Sequence, residues 1–469
     1  MLSTRPPGST DAGLPAGIRL EPAPEVAVRR PIDVAEAFRD LPGLTVLESA
    51  RPGRNGRWTY LTADPLTVLT DPSPGADPFR GARALVGRLS AGSVEQAPPF
   101  LGGLAGYLSY DLGRRLERLP SVAANDQPMP LLHLGLHDWV IAWDRLTGQA
   151  WLGGRAADGN VGRLEARMSE VRRRLARPDA APAREEVGPF VFRSGLDRPA
   201  FEAGVEQVRA AIARGEIYQA NLTRRLETPF RGDPWPLFRR LRTGDPALFA
   251  AYLDLGEGRA LLSASPEPFL SATPEGLVTT DPIKGTRPRG RTRAEDRALA
   301  CELLRSPKDR AENVMIVDVL RNDLGRVCEP GTVRVPRLLR LERTAAVQHL
   351  VTTVTGQFLP GRDPFDLLVA AFPGGSITGA PKIRAMEILE RLEPVRRGPY
   401  TGALGWIGPD GAMATSILIR TFVADGTRLT LHVGGGITWG SDPSAEWEET
   451  VAKARGPLSA IGGREGESA

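Results

Sequence analysis

Strand-like and helix-like runs follow one another in irregular order from about residue 190 onward, and that irregularity most restricts what this chain can become. VQHLVTTVTG and LTLHVGGGITWG read as strands, while PFDLLVAAF, PKIRAMEILERL and SAEWEETVAKAR read as helices. The strands come both singly and in hairpin-like pairs, so an α+β fold is expected rather than a regular βαβ winding. Phe201, Val205, Val208 and Ile212 fall at helical spacing. RALLSASPEPFLSAT reads as strand, turn at Ser265-Pro266, and strand; GLVTTDPIKGTRPRG reads as a strand running into a loop. The segment RAEDRALACELLRSPKDRAENVMIVDVLRNDLGRV predicts two helices broken near Ser306-Pro307.

Upstream the signal is weaker. Residues 1–25 are rich in Pro, Gly and Ala and are expected to be mobile. Residues 26–176 hold short strand-like runs, the Gly-rich FLGGLAGYLSYDLGRRLE and an amphipathic RLEARMSEVRRRLA, and read as an N-terminal domain. Residues 177–188 read as a linker, and 189–462 as the domain that carries the chemistry. The net charge is only +4, and positive and negative residues are interspersed, which argues against a nucleic-acid-binding tail. Cys301 and Cys328 form no CxxC pair and have no histidine at zinc spacing. No apolar run suits a secretion signal or a membrane span. A soluble, cytoplasmic protein with reduced thiols is expected.

The basic residues are nearly all arginine. Of 60, only Lys284, Lys308, Lys382 and Lys453 are lysine. Lysine can lose its proton and act as nucleophile or base, which arginine effectively cannot. Lys284, in DPIKGTRPRG, is therefore a candidate for chemistry.

Other residues form constellations with two readings each. Asp309 and Glu312 share a helical face; they are either a solvated acidic stripe or metal ligands. Glu446, Glu449 and Lys453 stack at offsets of three and four behind the Gly-rich VGGGITWGSDP; they are either a surface salt bridge or part of the same site. Carboxylates from two helices suit Mg²⁺, which takes hard oxygen ligands and an anionic substrate. GGSITGAPK and GGGIT are either tight turns or backbone cradles for an anion; Thr378 belongs to the first. Glu267, beside Pro and Phe, is either an exposed turn residue or an acid of raised pKa. His349 is a core histidine or a site residue, whereas His133, His137 and His432 are read as structural. Arg420, in SILIRTFVAD, is expected to point inward from an apolar strand and to grip a carboxylate. Together these suggest a site for a small polyanion with Mg²⁺, a lysine and an acid.

SASPEPFL, PIKGTRPRG, AENVMIVDVLRNDLGRV, VQHLV, GGSITGAPK, YTGALGWIGPDGAM, SILIRT and GGGITWGSDPSAEWEETVAKA occur in this order. They resemble the chorismate-binding domain of the anthranilate, aminodeoxychorismate and isochorismate/salicylate synthase family over about 190–460. VLESARPGRNGRWTYLTADP and FLGGLAGYLSYDL resemble its less constant N-terminal part. The resemblance implies large antiparallel-rich sheets packed as a sandwich with helices outside. PIKGT resembles the aminodeoxychorismate-forming branch, whereas anthranilate-forming relatives commonly have PIAGT; the anthranilate branch is the alternative. It implies that Lys284 attacks C2 of the chorismate ring, Glu267 acts as general acid, and ammonia adds at C4. It implies that Glu312 and Glu449 hold Mg²⁺ with Glu446 and Lys453 beside them. Tyr400, Arg420, Gly435 and Gly436 would hold the enolpyruvyl carboxylate, and His349 and Thr378 would line the ring pocket. Gln219 stands where water-adding relatives carry lysine, which disfavours hydration. Neither cysteine has a glutaminase setting, so ammonia is expected from a separate glutamine amidotransferase subunit. Leu47, Glu48 and Ser49 resemble the element that binds tryptophan in anthranilate synthases.

Overall fold

The computed structural model describes residues 14–50, 56–177, 188–343 and 347–466. Its frame is two sheets of thirteen and ten strands. Among the described residues strand pairing is antiparallel except where Gly463–Glu465 lies parallel to Phe190–Ser194. Alternation along each strand sends neighbours to opposite faces. Leu261 and Leu262 show the result. Leu261 packs with Tyr107, Ala251 and Leu404 between the two sheets, while Leu262 joins a cluster on the outer face. That outer cluster takes Leu164 and Met168 from the helix Val161–Leu175, and Trp235 and Phe238 from Trp235–Gly244. The smaller sheet is covered by Pro307–Gly325 and Pro364–Ala371 through Val317, Leu324, Phe365 and Leu368. The fold is thus α+β, a sandwich with helices outside, as expected.

Both sheets draw on both halves of the chain. Thr45–Glu48 pairs with Phe249–Gly256, and Gly103–Leu108 with Ala403–Ile407. Residues 26–176 therefore extend the same two sheets that 189–462 build. Part of the expected mobile N-terminus is ordered: Ile18–Pro22 is a strand paired with Gln149–Arg155, and Ile18 is fully buried. Backbone pairing and one buried isoleucine outweigh the local Pro and Gly content there. Residues 178–187 of the expected linker lie outside the described residues.

The expected helices form. Phe201, Val205 and Val208 are buried on Arg198–Ala213, and the break at Ser306-Pro307 separates Arg293–Arg305 from Pro307–Gly325. Ser306 caps the second helix by accepting from the Asp309 amide.

One buried ion pair ties the loop GGSITGAPK to the large sheet. Arg397, 2% exposed, donates to both carboxylate oxygens of Glu393 at 2.7 and 2.8 Å and to the carbonyls of Ile377 and Asn221 at 2.9 and 2.6 Å. Removing one partner of such a pair strands the other charge in the interior. Arg397→Met is expected to lower unfolding free energy by about 3–5 kcal/mol in chemical denaturation.

Candidate active site

Lys284 lies on a strand, not in the loop the sequence suggested. Ile283–Pro288 pairs with Val347–Gln357, and the register shifts between Lys284 and Thr286. Gly285 sits in that bulge with φ of +76°, a conformation glycine adopts readily and other residues do not. A Cβ there would come within 2.9 Å of Leu303 and 3.0 Å of Asp309. The local Gly and Pro hid a strand that long-range pairing imposes, and the bulge re-aims the lysine. Lys284 is half-buried, and its Nζ donates to the Ser376 carbonyl at 2.8 Å.

Glu267 occupies the turn between the strands Arg259–Ser265 and Pro268–Ala272 and is 6% exposed. Burial pushes its carboxyl above the ordinary range, opposed in part by the nearby Lys284 ammonium, the Ser376 side chain and the Ile283 amide. Lys284 and Glu267 thus both lie against the 3₁₀ turn Gly375–Ile377. Ser376, which touches both, was not singled out from the sequence. Its loop was, but only as an anion cradle, and it is a carbonyl that faces the lysine.

The carboxylates come from two helices. Glu312, on Pro307–Gly325, is raised by burial, with Lys284 and Lys308 opposing. Its Oε1 is buried without a hydrogen-bond partner. Glu446, on Pro443–Ala460, is also raised by burial, and Ser441 donates to its Oε1 at 2.6 Å. Glu449, whose side chain is half exposed, is lowered on balance, because Lys453, 2.7 Å away, outweighs what desolvation it suffers. Lys453 also donates to the Gly434 carbonyl at 2.8 Å. Gly435 leaves space before this group: a Cβ would stand 3.1 Å from Glu446 Oε2 and 3.6 Å from Glu449 Oε1. Asp309 is turned away to Arg287 at 3.1 Å.

This donor set fits Mg²⁺. Two carboxylates are held partly desolvated, and one has a buried oxygen with nothing to accept from. Among the described residues no three His, Cys, Asp or Glu side chains form a ready-made cage. Mg²⁺ does not need one, since it keeps waters and takes substrate oxygens beside one or two carboxylates.

The remaining candidates are distributed around this centre. Gln219 is buried at the start of the strand Gln219–Pro229, its Nε2 against Gly436 and its Oε1 without a partner. His349 lies across from Thr286, its Nδ1 2.8 Å from the threonine hydroxyl. Thr378 is fully buried, and its hydroxyl donates to the Gly374 carbonyl at 3.0 Å. Tyr400 is buried and stacks on His432 with ring centroids 4.9 Å apart; His432 had been read only as structural. Arg420 departs from expectation. It follows the strand Met413–Ile417 at a bend with φ of +50°, its side chain is 43% exposed, and it stands 3.7 Å from Asp245. The left-handed bend breaks the alternation that would have pointed it inward. Lys382 is structural, bound to Asp323 and the Ala371 carbonyl at 2.8 Å each.

A cavity of about 590 Å³ lies elsewhere. Leu47, Glu48, Ser49, Tyr60, Trp406 and Met413 line part of it, and no candidate catalytic residue does. Arg242 grips both Glu48 oxygens, at 2.5 and 2.6 Å.

Residues 48–459 match the family described as chorismate binding enzyme. The chain is 40% identical to anthranilate synthase component 1 of Streptomyces coelicolor over 87% of this chain and 81% of that one. It is also 40% identical to aminodeoxychorismate synthase component 1 of Salmonella typhimurium, over 85% and 88%. Among solved structures, anthranilate synthase component I from Streptococcus pneumoniae superposes with a TM-score of 0.75 at 27% identity, covering 97% of this chain and 95% of that one. The menaquinone-specific isochorismate synthase of Escherichia coli, at 18% identity and a TM-score of 0.73, covers 95% of each chain and shares the fold. A match across most of the chain, carried by relatives of 40% identity, shows that this protein belongs to the chorismate binding enzyme family.

Proposed function

We propose that the protein aminates chorismate at C4, forming 4-amino-4-deoxychorismate for 4-aminobenzoate and folate synthesis. The observation that carries this reading is the placement of Lys284 beside Glu267 and near Glu312. The Ser376 carbonyl takes one N–H of Lys284 and so restricts where Nζ can point; the nucleophile is the amine once its proton is lost. Nζ adds at C2, both ring double bonds shift, and the C4–O bond breaks. Glu267, whose burial favours its acid form, gives the leaving hydroxyl its proton, and water departs. Ammonia then adds at C4 while the C2–N bond breaks and its electron pair returns to Nζ, and the ammonium formed at C4 returns a proton to Glu267. Glu312, Glu446 and Glu449 would hold Mg²⁺, which when bound neutralises a carboxylate of the ring. Tyr400 and the backbone of Gly435 and Gly436 would take the enolpyruvyl carboxylate, with His349 and Thr378 along the ring. Glutamine at 219 is no base at neutral pH, which disfavours addition of water. The component 1 names of the relatives support a partner subunit; we assign it the role of a glutamine amidotransferase that supplies ammonia in the cytoplasm. Among the described residues no helix is long and apolar enough to cross a membrane.

A second reading, anthranilate synthesis, is favoured by the Streptomyces coelicolor relative and by the Leu47–Glu48–Ser49 element, which lines a cavity able to take a molecule such as tryptophan. Product identity separates the two. Protein, chorismate, ammonium and Mg²⁺, without amidotransferase, should give aminodeoxychorismate and no pyruvate by chromatography, and EDTA should stop the reaction. Prompt anthranilate and pyruvate would establish the second reading instead.

A further inference from the structure

We propose that Lys308 is a resident cation that holds Glu312 and Glu446 together in the metal-free protein and competes with the divalent ion for them. The inference rests on the reading of these carboxylates as the Mg²⁺ site. Lys308 is the second residue of Pro307–Gly325. Its Nζ stands 4.0 Å from Glu312 Oε1 on its own helix and 3.7 Å from Glu446 Oε1 on the facing helix. Both separations exceed hydrogen-bond length, so the ammonium stands between the carboxylates without locking onto either. Glu312 Oε1 is buried and accepts from no donor, and Lys308 is, after Lys284, a positive charge that acts on it.

The residue type suits that task. Three of the four lysines of the chain meet at this cleft. Lys284 is committed to the Ser376 carbonyl, and Lys453 to Glu449 and the Gly434 carbonyl. Lys308 alone among them spans two helices, and its side chain is 54% exposed, free to swing outward. An ammonium is a compact point charge on a flexible stem; arginine would fork onto one carboxylate and hold it. A metal ion entering this position displaces Lys308 toward solvent. Its apparent affinity is then the intrinsic affinity reduced by the fraction of molecules in which the lysine has moved away.

The test is metal binding without substrate. Mn²⁺ titration read by electron paramagnetic resonance, and Mg²⁺ calorimetry, are run on wild type, Lys308→Met, Lys308→Arg and Glu312→Gln. Lys308→Met should bind both ions roughly five- to tenfold more tightly than wild type, as removal of a weak ion pair to each of two carboxylates implies. Lys308→Arg should bind no more tightly than wild type. Equal or weaker binding by a folded Lys308→Met protein overturns the proposal while wild-type binding, lost in Glu312→Gln, leaves the metal site standing. Failure of wild type and Lys308→Met alike to bind either ion sinks the metal site and this inference with it.

Discussion

Lys284→Arg is expected to lower kcat for C4 amination by roughly 10³-fold or more, because the positive charge survives and the nucleophile does not. Arginine stays protonated at any pH the protein tolerates, so the substitution separates the two roles a lysine here can play. A purely electrostatic lysine, steadying Glu267, Glu312 and Glu449, would be largely replaced by arginine. A nucleophilic one would not. Lys284→Met removes both and should also shift the pH profile. The Lys284 ammonium partly offsets the burial that raises Glu267, so its loss lets the Glu267 limb move to higher pH. Intact-protein mass spectrometry after incubation with chorismate but no ammonium offers an independent readout: an adduct in wild type that is absent in Lys284→Arg. Near-wild-type turnover in the arginine variant would overturn the nucleophile assignment.

Glu267→Gln is expected to reduce kcat by about 10²- to 10⁴-fold, the usual contribution of a positioned general acid. The pH dependence gives the diagnostic. A carboxyl raised by burial is protonated below its folded pKa, so activity carried by the acid form is present at low pH and lost as pH rises through that value. Glutamine cannot titrate, so this limb should vanish from the residual activity. Stability moves the same way. With the folded pKa raised, Glu267 contributes stability that is present below the unfolded pKa and lost as pH rises through the folded one. The glutamine variant should therefore be at least as stable as wild type at neutral pH, by thermal melting. A variant that loses activity because it unfolds, or one that keeps the wild-type limb, would remove Glu267 from its role.

Which parts of the site could be read from sequence follows from how local each signal is. Glu446, Glu449 and Lys453 were legible because helical offsets alone put them on one face, and the Gly434 carbonyl and Gly435 beside them close the group. The scarcity of lysine pointed to Lys284 and Lys453 and left Lys308 unassigned, since nothing in SPKDRAEN says that Glu446 lies opposite. Lys284 was placed on a loop because a bulge at Gly285 and a proline at 288 mask a strand whose partner is more than sixty residues away. Ser376 was invisible for the same reason: its role depends on a carbonyl meeting a strand from another part of the sheet. The strand Arg334–Arg343 was also missed. It is an outer strand, largely exposed and rich in arginine, and charge at such an edge guards against unwanted pairing rather than advertising β structure. Arg420 failed through backbone geometry, a left-handed bend that alternation cannot foresee.

The braiding of both halves of the chain into each sheet bears on biogenesis. Thr45–Glu48 waits for Phe249–Gly256, and Gly103–Leu108 for Ala403–Ile407, so a ribosome must deliver nearly the whole polypeptide before either sheet can close. Until then apolar strand edges stand open to the wrong neighbours. Refolding from denaturant should be slow and dependent on protein concentration, and severing the gene near residue 180 should yield fragments that need each other to stay in solution.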